Sequence, residues 1–186
     1  MQRDNRFQLS LVGGAAALAL LTFSLVAAAK LSKTGTSTTN FKASGPAGLN
    51  INGSTADMTV ADDGTTVTIT VPLANINTGI ALRDEHTKKA LEADKYPNVT
   101  LAVPRASLKF PADGASSSGD AKGSMTLHGQ TKDVTFHYSA KRAGSTYTVT
   151  GNTSVNVDDF GVKRPSYLGV TVKPDVAIDT AFQAND

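Results

Sequence analysis

The sequence predicts an all-β fold of about eight antiparallel strands with one short helix, set behind an N-terminal signal peptide. Three observations carry this reading. Most segments beyond residue 36 alternate apolar and polar residues with the period of two expected of half-buried strands. Glycine, proline and Asp-Gly clusters punctuate those segments as turns do. One stretch, Asn77–Pro97, abandons the alternation for a block of charge: Arg83, Asp84, Glu85, His86, Lys88 and Lys89.

The leader comes first. Arg3 and Arg6 precede an uncharged run from Phe7 to Ala29 that closes on Val26-Ala27-Ala28-Ala29. Small residues in A-x-A positions after an apolar run are the pattern of a secretory signal peptide, so residues 1–29 are expected to be cleaved after Ala29. The run is also long enough to serve as an uncleaved inner-membrane anchor. A periplasmic or secreted domain with no membrane span follows from the first reading. Removing residues 1–29 takes away two basic side chains and one acidic, leaving 16 and 15. Such a balance argues against nucleic acid as a partner. The chain has no cysteine, which excludes disulfides, thiolate metal sites and a cysteine nucleophile. The fold must therefore be held by its core.

Residues 30–36 are polar and read as a tether, with one domain over residues 37–186. A first strand is expected at Ser37–Ala43, then a turn at Ser44–Gly48. Leu49–Ala56 is a second strand with Leu49 and Ile51 on one face, and Met58 and Val60 continue the apolar alternation. Asp62-Asp63-Gly64 is hairpin chemistry. Thr65–Val71 is the most regular strand, with Val67, Ile69 and Val71 on one side and threonines on the other. Thr87–Asp94 is rich in helix formers and Pro97 bars continuation, which places a short helix with Arg83–His86 at its entrance. Asn98–Val103 returns as a strand with Val99, Leu101 and Val103 inward. Ser107–Phe110 is expected to continue it past Pro104, and Pro111–Gly119 to form a flexible loop. Lys122–Leu127 and Thr131–Ala140 flank a His128-Gly129 turn, with Val134, Phe136, Tyr138 and Ala140 sharing one face and His137 on the other. Thr146–Val157 carries Tyr147, Val149, Val155 and Val157 inward. Asp158–Leu168 is irregular, and Gly169–Phe182 forms a last arm with Val176, Ile178 and Phe182 inward. Alternation alone does not separate a barrel around a cavity from a sandwich around a packed core.

The segments TGIALRDEH, KYPNVTL, TLHGQTKDV and DFG, followed by a closing Val-Ala-Ile-Asp strand, resemble the YceI family in that order. The likeness covers most of residues 37–183. It implies an exported bacterial protein with an antiparallel lipocalin-like β-barrel whose interior takes the tail of a polyisoprenoid or similar amphiphile. The matching positions are Thr78, Arg83, Asp84, His86, Lys95, Tyr96 and Pro97, then Leu127, His128, Gly129, Thr131 and Lys132, and Asp159, Phe160 and Gly161. The chain departs from the family pattern twice. Thr36-Ser37 stands where a His-Ser pair opens the first barrel strand, and Ala90–Ala93 lacks the usual helix aromatics.

On this reading Val67, Ile69, Val71, Val99, Leu101, Val103, Phe136, Tyr138, Val149, Ile178 and Phe182 line a cavity. Arg83, Asp84 and His86 either receive a polar head group at its mouth, as charge-assisted donors would, or pin the helix to the sheet through an Arg–Asp pair. The three histidines have no spacing that aligns them for a metal, and nothing marks a nucleophile elbow or triad. The expectation is a non-enzymatic carrier without cofactor, its partner an isoprenoid or fatty amphiphile. Two rivals remain: a packed β-scaffold serving as an interaction or stress-response protein, and an enzyme using His86 or His128 as base. A dimer is compatible with the sequence.

Overall fold

A computed structural model describes residues 30–167 and 170–186; the expected signal peptide lies outside them. The strands are β1 (Ser32–Ser44), β2 (Asn50–Thr55), β3 (Thr59–Asp62), β4 (Thr66–Pro72), β5 (Asn98–Pro104), β6 (Ser116–Leu127), β7 (Gln130–Ala143), β8 (Thr146–Asn156), β9 (Ser166–Tyr167), β10 (Val170–Thr171) and β11 (Asp175–Asn185). A helix, α1 (Ala81–Ala90), lies between β4 and β5. The main sheet runs β11-β8-β7-β6-β5-β4-β3-β1-β2, and β1 also pairs with β11 over most of its length. That pairing closes the sheet into a barrel. It removes the open edges that a long exposed strand would otherwise offer for aggregation.

β2 and β3 lie along the same edge of β1, Thr39 opposite Thr55 and Ser32 opposite Ala61, so they form one interrupted stave. The closed barrel thus has eight staves. The interruption explains a phase change in the sequence. Gly53 and Thr55 are buried on β2, whereas Met58, Val60 and Asp62 are buried beyond it, a shift from odd to even numbers. A one-residue slip moves every side chain to the other face, so the chain must break pairing at 56–58 to keep its apolar set inside.

β1 starts at Ser32, five residues before the expected Ser37, so 32–36 are strand rather than tether. A bulge between Thr34 and Ser37, with Gly35 at φ 59°, interrupts the alternation that would have marked them. Leu49 precedes β2 and is exposed. The helix begins before Thr87, so Arg83–His86 lie within it rather than at its entrance. It stops at Leu91, and Glu92 at φ 47° turns the chain well before Pro97. Beyond β5 a 3-10 turn, Arg105–Ser107, replaces the expected strand continuation. β6 takes in Ser116–Gly119, expected as loop, because these residues pair with positions 138–141 of β7. Pro174 precedes β11 instead of interrupting it.

The barrel has two ends. The turns β3–β4, β5–β6 and β7–β8 share one of them with the start of β1 and the end of β11. The β1–β2 turn, α1, the β6–β7 turn and the long β8–β11 connection share the other. These are called the turn end and the helix end below.

Candidate functional site: an apolar barrel interior

Alternation turns one side chain in two toward the barrel axis, and on most staves these are aliphatic or aromatic. They do not fill the space. A cavity of about 310 Å³ runs between the staves, bordered from Leu31, Leu108 and Phe110 at the turn end to Leu91, Val162 and Val172 at the helix end. That lies near the lower limit of ligand pockets, roughly 300–1,000 Å³. Each position expected from the sequence to line a cavity, Val67 through Phe182, borders it.

Most hydroxyls on this wall are committed elsewhere. The Tyr138 hydroxyl accepts from the Lys109 N–H at 2.7 Å, and the Tyr147 hydroxyl donates to Asp186 Oδ2 at 2.9 Å. Burial, reinforced by that bond to Asp186, raises the Tyr147 pKa above the usual phenol value. Thr87 donates to the Arg83 carbonyl, Thr153 to the Thr135 carbonyl, and Thr39 and Thr180 bond each other across β1 and β11. Gly53 leaves room for the Phe41 ring opposite it, where a Cβ would run into the ring.

Arg83, Asp84 and His86 do not border the cavity. Arg83 donates through Nη2 to the Thr78 carbonyl, and Asp84 Oδ1 accepts from both the Thr78 N–H and its hydroxyl. The Thr78 hydroxyl is the main cause of an Asp84 pKa below the usual carboxylate value. Both side chains therefore anchor the start of α1, through Thr78 rather than through each other. His86 is exposed on the helix. The face of α1 that reaches the cavity is Thr87, Ala90 and Leu91.

His128 is more than a turn residue. It sits at φ 52° beside Gly129 at φ 73°, the paired left-handed geometry of a two-residue hairpin. Its ring tucks inward against the edge of Tyr96, centroids 5.0 Å apart. Nδ1 lies 3.1 Å from the Phe160 carbonyl and Nε2 lies 3.3 Å from Glu92 Oε1. Three connections of the helix end thereby meet on one imidazole. His137 faces outward and bonds Asp120 at 2.8 Å.

Sequence reasoning missed the turn end. Asp62, read as turn chemistry, has a fully buried carboxylate paired with Arg105, and it also accepts from the Leu31 and Gly64 N–H groups. Arg105 lies over the Phe110 ring at 4.3 Å, Phe110 meets Tyr147 edge-on, and Arg142 lies over Tyr147 and pairs with Asp186 at 3.0 Å. No spacing in the sequence brings these residues together; the barrel closure does.

A closed eight-stave barrel with one helix and an apolar channel is a recognised architecture, and residues 26–184 match the YceI-like domain. The chain belongs to the YceI-like family. Among curated relatives it is similar to a UPF0312 protein of Pseudomonas putida (strain W619), 29% identical over 133 residues. That match covers 63% of this chain and 62% of the relative's length. The YceI-like barrel also superposes on solved structures. One is described as a polyisoprenoid binding domain from Saccharophagus degradans, with TM-score 0.68, 17% identity, and 83% of this chain and 97% of that one covered. Another is Burkholderia cenocepacia BcnA, with TM-score 0.64, 18% identity, and coverage of 80% and 96%. At these identities the likeness speaks to the fold.

Proposed function

We propose that this YceI-like protein is an exported, non-enzymatic carrier that holds the apolar tail of an isoprenoid or comparable amphiphile inside the barrel. The observation that carries the reading is the cavity itself: a continuous apolar space along the barrel, most of whose wall hydroxyls are bonded to the protein. Burying a tail there is favourable by roughly 25 cal/mol per Å² of apolar surface, before the costs of association. The description of the Saccharophagus degradans domain as polyisoprenoid binding supports the same ligand class. The open space along the barrel favours a carrier over a packed scaffold, which would have filled it.

Native mass spectrometry of protein purified without detergent from the exported fraction tests this. An adduct that organic extraction identifies as an amphiphile is the expected result. Ligand-free protein that also fails to take up a neutral fluorescent probe such as N-phenyl-1-naphthylamine would favour the scaffold. N-terminal sequencing of the same sample should begin at Lys30; a start near Met1 would mean an uncleaved anchor.

A further inference from the structure

Every charged residue that borders the cavity, among the described residues, is a cation: Lys109, Arg164 and Lys173. Lys109 stands at the turn end, next to the Arg105–Phe110–Tyr147 stack, and its backbone is fastened to Tyr138. Arg164 and Lys173 stand together at the helix end, on the β8–β11 connection, beside Pro165 and Val172. Arg164 is held in place from two sides. Its Nε donates to Asp158 Oδ1 at 2.8 Å and its Nη1 to the Val172 carbonyl at 2.9 Å. A guanidinium carries five N–H donors, so these contacts orient the group and leave donors over. Asp158 offsets one positive charge. Lys173 supplies a second on an exposed side chain, while its backbone N–H is fixed to the Ser44 carbonyl at 2.7 Å.

We infer that Arg164 and Lys173 form a receptor for an anionic head group, phosphate or carboxylate, of an amphiphile whose tail occupies the barrel. The inference rests on the carrier reading and adds the chemical class of the head. A planar, pre-oriented guanidinium at the rim of an apolar channel suits the paired oxygens of phosphate or carboxylate. A neutral alcohol or quinone would leave the second positive charge unanswered. The head therefore lies at the β8–β11 connection and not at Arg83, Asp84 and His86, none of which borders the cavity.

Displacement of bound N-phenyl-1-naphthylamine tests this with farnesyl phosphate and farnesol, which share one tail and differ in charge, and with palmitate as the carboxylate. Farnesyl phosphate or palmitate should displace the probe at concentrations about tenfold or more below farnesol, the scale of one charge-assisted contact. The advantage should shrink in Arg164→Gln and in Lys173→Gln, and fall to within about twofold in the double variant, with farnesol unchanged throughout. Which anion gains more distinguishes the phosphate source from the carboxylate. Unchanged farnesol displacement also reports that each variant remains folded, and the exposed Lys173→Gln gives a second route if Arg164→Gln disturbs its connection. Equal displacement by charged and neutral ligands, or an advantage surviving in the double variant, would overturn the inference while leaving the carrier intact. Failure of the wild-type protein to bind the probe and all three ligands would remove the carrier reading and this inference with it.

Discussion

At the turn end, Asp62, Arg105, Phe110, Tyr147, Arg142 and Asp186 form an unbroken chain of ion pairs and ring contacts between strand ends. At the helix end the contacts join connections to one another: Thr78 to α1, and His128 to Phe160 and Glu92. No residue of α1 is buried, and Ile80 and Leu82 at its start are 53% and 61% exposed. A buried charge pair fixes strand ends because separating it strands a charge away from water. Contacts among surface connections can part at lower cost, because water replaces them. The contrast marks the turn end as the anchored base of the barrel and the helix end as the more loosely held one.

The strongest way to break this contrast is Asp62→Ala. It leaves the Arg105 guanidinium beside an empty site and frees two N–H groups, so a loss of about 3–5 kcal/mol is expected in urea unfolding. A loss below ~1 kcal/mol, the range of an exposed pair, would mean that the turn end is not the anchored one. Ile69→Trp probes the wall between the ends. In a filled interior, overpacking costs about 1–3 kcal/mol. Here the indole should occupy the cavity, leaving stability within ~1 kcal/mol of wild type, less than a packed core would allow, while abolishing probe uptake.

Acid should act at both ends. The Thr65 hydroxyl and the Thr65 and Thr66 N–H groups hold Asp63, in the β3–β4 turn, down to about 2 from 3.8. Asp84 is likewise depressed below 3.8 by Thr78. A carboxylate with a lowered folded pKa contributes stability above its unfolded value and loses it as pH falls through the folded one. Carboxyl NMR titration should therefore show Asp63 protonating near pH 2, and Asp84 below pH 3.8 with loosening of α1. A midpoint for Asp84 at or above 3.8 would sever it from Thr78. The smallest effect belongs to neither end: His137→Ala should change stability by less than about 0.5 kcal/mol, its bond to Asp120 being an exposed pair. A larger loss by thermal unfolding would mean that β7 is shifted by one residue.

The inward wall was legible because each strand reports its own burial through local alternation: Val67, Ile69 and Val71, or Phe136 and Tyr138, need no partner to declare a face. Strand ends were less so. Ser116–Gly119 reads as loop because small inward residues leave no hydrophobic mark, although the segment pairs with β7. Ser32–Thr36 is a strand by pairing with β11, a neighbour some 150 residues away that composition cannot reveal. The charged block at Arg83–His86 drew attention by density, yet density does not say what a side chain faces. Arg164 and Lys173, nine residues apart in an irregular stretch, carried no signal that joins them; only the fold sets both beside the cavity.

The bonded hydroxyls of Tyr138, Tyr147 and the wall threonines also bear on what calorimetry would record. Between its two ends the cavity wall is, apart from such bonded groups, mostly aliphatic or aromatic and offers water few partners, and apolar cavities of that kind stay dry. A tail entering it releases little ordered solvent from the protein side and gains dispersion contacts with a wall that previously faced empty space. Uptake should then be exothermic near room temperature, with the negative heat-capacity change that marks apolar burial, instead of the entropy-driven signature of a tail leaving water for oil.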